Sequence, residues 1–445
     1  MEKFIPYEKL SKKEKRKIDQ AKRQTWGELN PVTRKPENSK AYNRNKARNW
    51  KCDPVPGLLF ASGPFLRYNS LKSTKEVTDM RKIQAAIHPD DDFHYNKLGL
   101  TRNKVEIWED GMRTDGSKGT YEWWYFDSSY PDGTKLIIFF FSKSPIEVDG
   151  PIKPMSTMEL TLPDGRKFEE QVNATIEESF YNKDKCDIRI GDCLMDGDLK
   201  QYNIVFKGKT MSAKVSLTNT VPAWRSQCGP ILFGDNEEYY FNWLPATPEG
   251  NAIADVTYPE GQLHLEGSGY HDHNWGNISM LKLMHHWYWG RAKIGDYKVI
   301  SSWITAEKKY GYKEFDVFML AKGGVILGDN ANHTLKFLPT DEYIDDHTGK
   351  PVYNKVVYEY ETPAGENYRI TYDRRNDISR QNFIDLLPGI VRMAAKLIGF
   401  EGSYLRFEGS ATIEKLENGA VIESVTEESA VWELMYFGKS GADKK

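Results

Sequence analysis

A chain of 445 residues is long enough for two or three domains, each with an apolar core of its own. Its hydrophobic content is 39% and its net charge is −3, and no apolar run approaches the length of a membrane-spanning helix. The charged N-terminus lacks the apolar segment of a signal peptide, and the four cysteines fit neither a zinc motif nor a disulfide framework. These features predict a cytoplasmic protein with free thiols.

The first 90 residues are predicted to form a basic, partly helical N-terminal extension. Residues 1–48 carry fifteen Lys and Arg side chains against six Asp and Glu side chains. A capping-box pattern from Ser11 to Glu14 predicts a helix from about Lys12 to Gln24. The basic charge favours contact with the acidic remainder of the chain, and the alternative is a peripheral contact with an anionic membrane surface. No nucleic-acid-binding motif accompanies it, so nucleic acid is not an expected partner.

From about Asn103 onward the pattern becomes that of a β protein. Short apolar or alternating runs are separated by turn signals such as Pro131-Asp-Gly133 and Asn418-Gly419. Regular strands of this kind are typical of sandwiches or closed barrels. The exception is residues 378–398, where apolar side chains at helical spacing predict one long helix in the C-terminal half.

Three segments combine aromatic and ionisable side chains, namely residues 121–127, 267–276 and 285–291. The second follows an alternating run at residues 262–266, which predicts a half-buried strand. If this strand continues, one of its faces carries Tyr270, Asp272 and Asn274, and the other carries His271, His273 and Trp275. A strand that brings these side chains to a Gly-rich corner favours a binding or catalytic site over a plain core.

Two of these motifs, Tyr121-Glu-Trp-Trp-Tyr-Phe-Asp127 and Gly269-Tyr-His-Asp-His-Asn-Trp-Gly276, resemble the lipocalin-like hydratase family. That family includes carotenoid 1,2-hydratase (hydroxyneurosporene synthase), kievitone hydratase, proteins with an AttH-like domain and fungal cyclases that form decalin rings. The resemblance covers roughly residues 100 to 440. It implies an all-β fold of two tandem lipocalin-like (calycin) β-barrels, with the active cavity where the barrels meet. We place the barrels at residues 91–248 and 249–440, with the boundary in the Pro- and Gly-containing segment 243–251.

The chemistry that suits these residues is acid catalysis. A carboxyl group in an apolar, aromatic pocket has a raised pKa and can stay protonated near neutrality, ready to protonate a double bond. Aromatic faces stabilise the resulting carbocation, which either adds water or closes a ring. By the resemblance, the proton donor is Asp272, two residues after Tyr270. The family's upstream His-x-Trp motif is matched here only by Trp243, because Phe241 occupies the His position.

The predicted function is therefore a hydratase that adds water to a carbon–carbon double bond of an apolar, isoprenoid-like substrate without a metal or cofactor. The alternatives are a cyclase of a polyene, including a pericyclic one, and a non-catalytic carrier of a hydrophobic ligand. The candidate catalytic residues are Tyr270, His271, Asp272 and His273. The candidate substrate-binding residues are Trp123, Trp124, Trp243, Trp275, His286, Trp287 and Trp289.

Other interpretations of the same residues remain open. A metal site could combine His271 and His273 with His285 or His286 and an oxygen of Asp272, although the resemblance implies no metal. Trp123 and Trp124 point to opposite faces of a strand, so core packing and cavity lining are equally expected for them. Two acidic residues, Glu122 and Asp127, are alternatively partners of Arg291, Arg406 or backbone groups.

Overall fold

The computed structural model describes residues 83–386 and 401–437. The predicted helix at residues 12–24 and nearly all of the basic extension lie outside this part of the chain. The described residues form two antiparallel sheets of 13 and 10 strands, which confirms the all-β prediction. Their one α-helix, α1 (Asp92–Leu98), is capped by the side chain of Asp91 and ends at Gly99 in the left-handed region. Within the described ranges, no helix is long and apolar enough to cross a membrane.

The first sheet follows the path β5-β4-β3-β2-β13-β12-β10-β9-β8-β7-β6, and β11 joins it through β12 and carries β1. Its strands are β1 (Ala86–Ile87), β2 (Tyr121–Ser129), β3 (Lys135–Lys143), β4 (Met155–Thr161), β5 (Lys167–Asn173), β6 (Ser179–Tyr181), β7 (Asp187–Ile190), β8 (Cys193–Gly197), β9 (Gln201–Lys207), β10 (Ser212–Val221), β11 (Ile231–Phe233), β12 (Tyr239–Tyr258) and β13 (Gly261–Gly276).

The second sheet follows the path β17-β16-β15-β14-β23-β22-β21-β20-β18, with β19 paired to β20. Its strands are β14 (Met284–Ile294), β15 (Tyr297–Ala306), β16 (Glu314–Lys322), β17 (Val325–Asp329), β18 (Lys336–Phe337), β19 (Thr340–Ile344), β20 (Pro351–Glu361), β21 (Asn367–Asn382), β22 (Ser403–Glu417) and β23 (Ala420–Tyr436).

Strand alternation distributes the large apolar side chains among three layers. In β2, Trp124 and Phe126 enter the core of the first sheet, whereas Trp123 and Tyr125 pack in a middle layer shared with the second sheet. Strand β14 divides its side chains in the same way in the second sheet. Trp287 and Trp289 pack in the middle layer, and Tyr288 enters the core of the second sheet. The middle layer is therefore built from the outer faces of both sheets.

The structure moves the predicted boundary between the two halves. The expected division between residues 248 and 249 falls inside β12, which pairs with β10 and β13 in the first sheet. The prolines and glycine of residues 243–251 mark two shifts in the β12–β13 register, between Leu244 and Thr247 and between Thr247 and Gly250. They bend a continuous strand instead of forming a linker. The change of sheet occurs between Gly276 and Met284.

The long helix predicted at residues 378–398 is wrong over its first part. Residues up to Asn382 belong to β21, which pairs with β22 as far as Asn382 opposite Ser403. A single 3-10 turn follows at Phe383–Leu386, and the remaining predicted residues lie outside the described chain. Residues 378–382 contain one apolar side chain, that of Ile378, so the helical spacing begins only at Phe383 and cross-strand pairing decides the structure before it.

Replacing Gly267 by alanine is expected to lower the free energy of unfolding by about 1–3 kcal/mol. A methyl group at this position of β13 would collide with the carbonyl oxygen of Ser129 on β2, and a backbone atom in a sheet cannot move aside cheaply. Gly261→Ala in the same strand is the control, since the nearest atom to its added carbon belongs to Tyr258 at 3.8 Å. Urea unfolding of both variants measures the difference, and equal midpoints would contradict this account of β13.

Candidate active site

Strand β13 sends its predicted site residues in two directions. The ring of Tyr270 packs in the middle layer, and the carboxyl of Asp272 bonds to it on the same face. The rings of His271 and His273 point the other way, where they contact Tyr202 and Trp124 inside the first core. The strand thus divides the predicted catalytic residues into a middle-layer pair and an inner pair. A molecule held against Asp272 does not reach the histidines.

Asp272 is held by three hydrogen-bond donors. Its Oδ2 accepts from the indole Nε1 of Trp243 at 2.8 Å and from the hydroxyl of Tyr270 at 2.7 Å. Its Oδ1 accepts from the amide of Asn274 at 2.7 Å. Burial raises the pKa of Asp272, and the three donors oppose that rise without cancelling it. The geometry thus fixes the carboxyl group while burial favours its protonated form.

Aromatic rings surround this carboxyl group. The ring of Trp289 lies 6.4 Å from the rings of both Trp243 and Tyr270, and the ring of Tyr125 lies 6.2 Å from that of Tyr270. Trp287 stacks on Phe241 at the same layer. Several of these side chains are only half-buried: Trp123, Tyr125, Trp243, Trp287 and Trp289. Their partly open faces give an apolar molecule a surface to bind next to Asp272.

An ion pair forms another wall of the site. The guanidinium of Arg291 lies 2.5 Å from Asp127 and 4.2 Å from the centre of the Tyr270 ring. Asp127 also accepts a hydrogen bond from the hydroxyl of Tyr125 at 2.8 Å. The pairing of Arg291 with Asp127 confirms one of the partners expected from the sequence. Because the two charges offset each other, this wall adds little net charge to the pocket.

A second carboxyl group, that of the half-buried Glu433, adjoins the site but was missed in the sequence. It lies on β23 opposite Trp289 of β14 and Arg406 of β22. It accepts a hydrogen bond from Tyr404 at 2.7 Å, and burial raises its pKa against that bond and the charge of Arg406. The signal that could have found it is a single carboxylate within the apolar run of residues 430–436.

The predicted site residues that point into the core of the first sheet form a separate polar cluster, called the inner cluster below. Glu122 accepts hydrogen bonds from the backbone of Arg113 and Thr114 and lies 2.8 Å from Nε2 of His273, so it is a partner of backbone groups as the alternative interpretation held. Trp124 donates its indole N–H to the backbone of Asp110 at 2.9 Å. Trp275 packs with them, its ring 4.4 Å from that of His273. Neither tryptophan lines the middle layer.

His286 belongs to neither group. Its ring stacks on Tyr436, a residue of the second core, and its Nδ1 lies 2.8 Å from that of His285. Burial lowers the pKa of His286 to about 3, so the ring is neutral at physiological pH. Because His271 and His273 lie inside the first core, the structure does not assemble the metal set that would combine them with His285 or His286.

Known proteins resemble this chain in sequence and in fold. The sequence model of a family described as Diels-Alderase-like matches residues 66–344. The quinolone epoxide rearrangement protein asqO of Emericella nidulans is 24% identical over 320 residues, which are 67% of this chain and 84% of asqO. A protein of the same description, penF of Penicillium thymicola, is 28% identical over 85 residues, which are 19% of this chain and 23% of penF. The crystal structure of CghA with Sch210972 superposes with a TM-score of 0.50 at 13% identity, covering 81% of this chain and 99% of CghA, and shows the same fold.

Proposed function

The chain belongs to the Diels-Alderase-like family, and from this premise we propose that it is an enzyme that cyclises or rearranges an apolar small molecule by acid catalysis. The observation that carries the proposal is the position of Asp272. It is a carboxyl group with a raised pKa, fixed by three donors and enclosed by partly open aromatic rings. No metal or cofactor is needed for this chemistry, and the aromatic enclosure suits an apolar substrate.

The proton reaches the substrate through Tyr270. When Oδ2 of Asp272 is protonated, its hydrogen bond with Tyr270 reverses, so that Oδ2–H donates to the Tyr270 oxygen. This proton can pass to Tyr270 as the Tyr270 hydroxyl gives its own proton to the substrate. Burial raises the pKa of Tyr270 well above its usual value, which disfavours a free tyrosinate and therefore favours a concerted transfer. Trp243 and Asn274 keep their bonds to the carboxylate that remains.

The protonated substrate develops positive charge next to the aromatic faces of Trp243 and Trp289. Cation–π attraction stabilises such a charge by up to about 2 kcal/mol when water is excluded. An epoxide oxygen and an alkene carbon can both accept the proton, so the names of the relatives asqO and penF fit this step. An internal carbon or oxygen nucleophile then closes a ring or migrates, after which a proton returns to the carboxylate.

Hydration of an isoprenoid-like double bond uses the same proton donor and differs only in the fate of the cation, which water then captures.

The test is incubation of the purified protein with a quinolone epoxide and with an acyclic polyene that carries a diene and an activated alkene, in ¹⁸O-labelled water. The proposal expects a product of unchanged mass and new retention time. A product that gains labelled water makes the protein a hydratase. Recovery of bound, unchanged compound from every incubation would contradict an enzyme and favour a carrier.

Replacing Trp243 by phenylalanine is expected to move the pH dependence of kcat upward. Activity requires protonated Asp272, so the rate falls as the pH rises through the pKa of Asp272. The hydrogen bond from the Trp243 indole lowers this pKa, and removal of the indole therefore raises it. Trp289→Phe is the matched control, because it removes the same indole without removing a bond to Asp272. The pH–rate profiles of the two variants make the measurement. A Trp243→Phe profile that is unshifted or moves to lower pH would show that Asp272 is not the acid.

A further inference from the structure

The inner cluster places three types of metal-binding side chain, a carboxylate, a thiol and an imidazole, close together in the first core. A carboxylate oxygen of Asp110, the thiol of Cys186 and a ring nitrogen of His271 all lie within 4.8 Å of one another. Each of these residues is at most 1% exposed. His273 approaches from the next inward position of β13, with its Nδ1 3.6 Å from Oδ1 of Asp110. None of them takes part in the acid catalysis proposed for the middle layer.

The hydrogen bonds of His271 direct a lone pair towards this point. Its Nδ1 lies 2.8 Å from the backbone oxygen of Tyr125, which can only accept, so Nδ1 carries a proton. In the neutral ring Nε2 is then unprotonated, yet it lies 3.1 Å from Oδ2 of Asp110. Two lone pairs at this distance repel each other unless a positive species lies between them. A ring that is fixed by a carbonyl through its other nitrogen is the usual arrangement of a metal-bound histidine.

One ring nitrogen of His273 is held in the same way, but by a carboxylate instead of a backbone oxygen. Its Nε2 lies 2.8 Å from Oε1 of Glu122, which holds that nitrogen in its protonated form. Its Nδ1 has no hydrogen-bond partner although the ring is fully buried, and neither has the Oδ1 of Asp110 that faces it. Buried polar atoms are almost always paired, so two unpaired atoms that face each other indicate a missing common partner.

We propose that Asp110, Cys186 and His271 bind a divalent transition metal ion, with a water molecule that donates to Nδ1 of His273 in the fourth position. One thiolate, one carboxylate and one imidazole supply three of the four donors of a tetrahedral zinc site. Adjacent ligand atoms of such a site are separated by roughly 3.4 Å, from metal–ligand bonds of about 2.1 Å. The separation of 3.1 Å between Nε2 of His271 and Oδ2 of Asp110 is close to that value. Binding converts the Cys186 thiol to a thiolate and releases its proton to solvent.

The ion would stabilise the strand that carries the proposed acid. His271 directly precedes Asp272 in β13, so a metal that binds His271 fixes the backbone next to Asp272. It would also connect β13 to the turn that ends at Asp110 and to the segment that leads into β7. A divalent cation offsets two of the three negative charges that Asp110, Glu122 and the Cys186 thiolate carry in the bound state. This role is structural and does not depend on the nature of the substrate.

The experiment is metal analysis and cobalt titration of the full chain without an affinity tag. We expect one zinc equivalent per chain after purification, and a thiolate-to-cobalt charge-transfer band when cobalt replaces it. Cys186→Ser should lose the band and most of the bound metal, whereas Cys193→Ser, a buried thiol outside the cluster, should keep both. Circular dichroism shows whether each variant is folded.

A second variant keeps the test decisive if Cys186→Ser does not fold. The triple change Cys52→Ser, Cys193→Ser and Cys228→Ser leaves Cys186 as the single thiol, so a cobalt band in this protein assigns the thiolate to Cys186. A folded wild-type protein that retains no metal and shows no cobalt band would overturn the proposal, and so would a band that survives in Cys186→Ser. In that case an imidazolium at His271 is the positive species, which two ring N–H signals in an NMR spectrum would reveal.

Discussion

Asp272→Asn is expected to lower kcat by about 10²–10⁴-fold, the usual contribution of a general acid. Asparagine has the size of aspartate and can keep accepting from Tyr270 and Trp243 through its amide oxygen, while the Asn274 amide rotates to accept from the new N–H. The variant therefore loses the transferable proton and little else. Binding of the substrate and the free energy of unfolding should stay close to those of the wild type.

The measurement is kcat and KM on the compound that the labelled-water incubations identify. Asp255→Asn is the control, because Asp255 is an exposed carboxylate of β12 whose partner is His264 on the protein surface. It should be as active as the wild type. A pericyclic cyclase that works by positioning alone would lose only a small part of its rate in Asp272→Asn, and that result would contradict the acid mechanism while leaving the site in place.

Arg225→Met should lower the free energy of unfolding by about 3–5 kcal/mol, because it leaves a buried carboxylate without its partner. Arg225 forms an ion pair with Glu109 in which both side chains are 4% exposed. Its guanidinium also donates to the backbone oxygens of Thr101, Lys104 and Gln227. The arginine thus anchors residues 101–109, the segment that leads to Asp110, against the loop that follows β10.

Two further variants separate the buried charge from lost packing. The double change Glu109→Leu with Arg225→Met should recover part of the loss, because no carboxylate is then left unpaired. Arg375→Met removes an exposed pair with Glu428 and should cost less than about 1 kcal/mol. Urea unfolding of the four proteins gives the values. A double variant that is no more stable than Arg225→Met would show that the unpaired carboxylate of Glu109 does not explain the effect.

Local patterns predicted the parts of the fold that depend on side-chain alternation. The period of two in residues 270–275 separates Asp272 from the histidines, and the same period in residues 121–127 separates Trp123 from Trp124. These assignments need no knowledge of the partner strands, because a strand always sends successive side chains to opposite faces. The turn signals at residues 131–133 and 418–419 likewise fall between β2 and β3 and between β22 and β23.

Long-range pairing could not be predicted in this way. Glu433 meets the site because β23 pairs with β14, and Asp110 meets His271 across 161 residues of sequence. The prolines of β12 suggest a linker when the sequence is considered alone. Their actual effect is a shift in the pairing register of a long strand, which can be seen only once the partner strand is known. The helical spacing of apolar side chains begins only at Phe383, and pairing with β22 makes residues 378–382 part of a strand.

The most direct test of the central claim is a crystal structure of Asp272→Asn with the identified substrate bound. The mechanism predicts that the substrate lies in the middle layer between the two sheets, against the rings of Trp243 and Trp289. Its reacting atom should then be about 2.6–3.2 Å from the Tyr270 hydroxyl, the distance that proton transfer requires. A substrate bound inside either core, or on a surface away from Tyr270, would contradict the assignment of this layer as the active site.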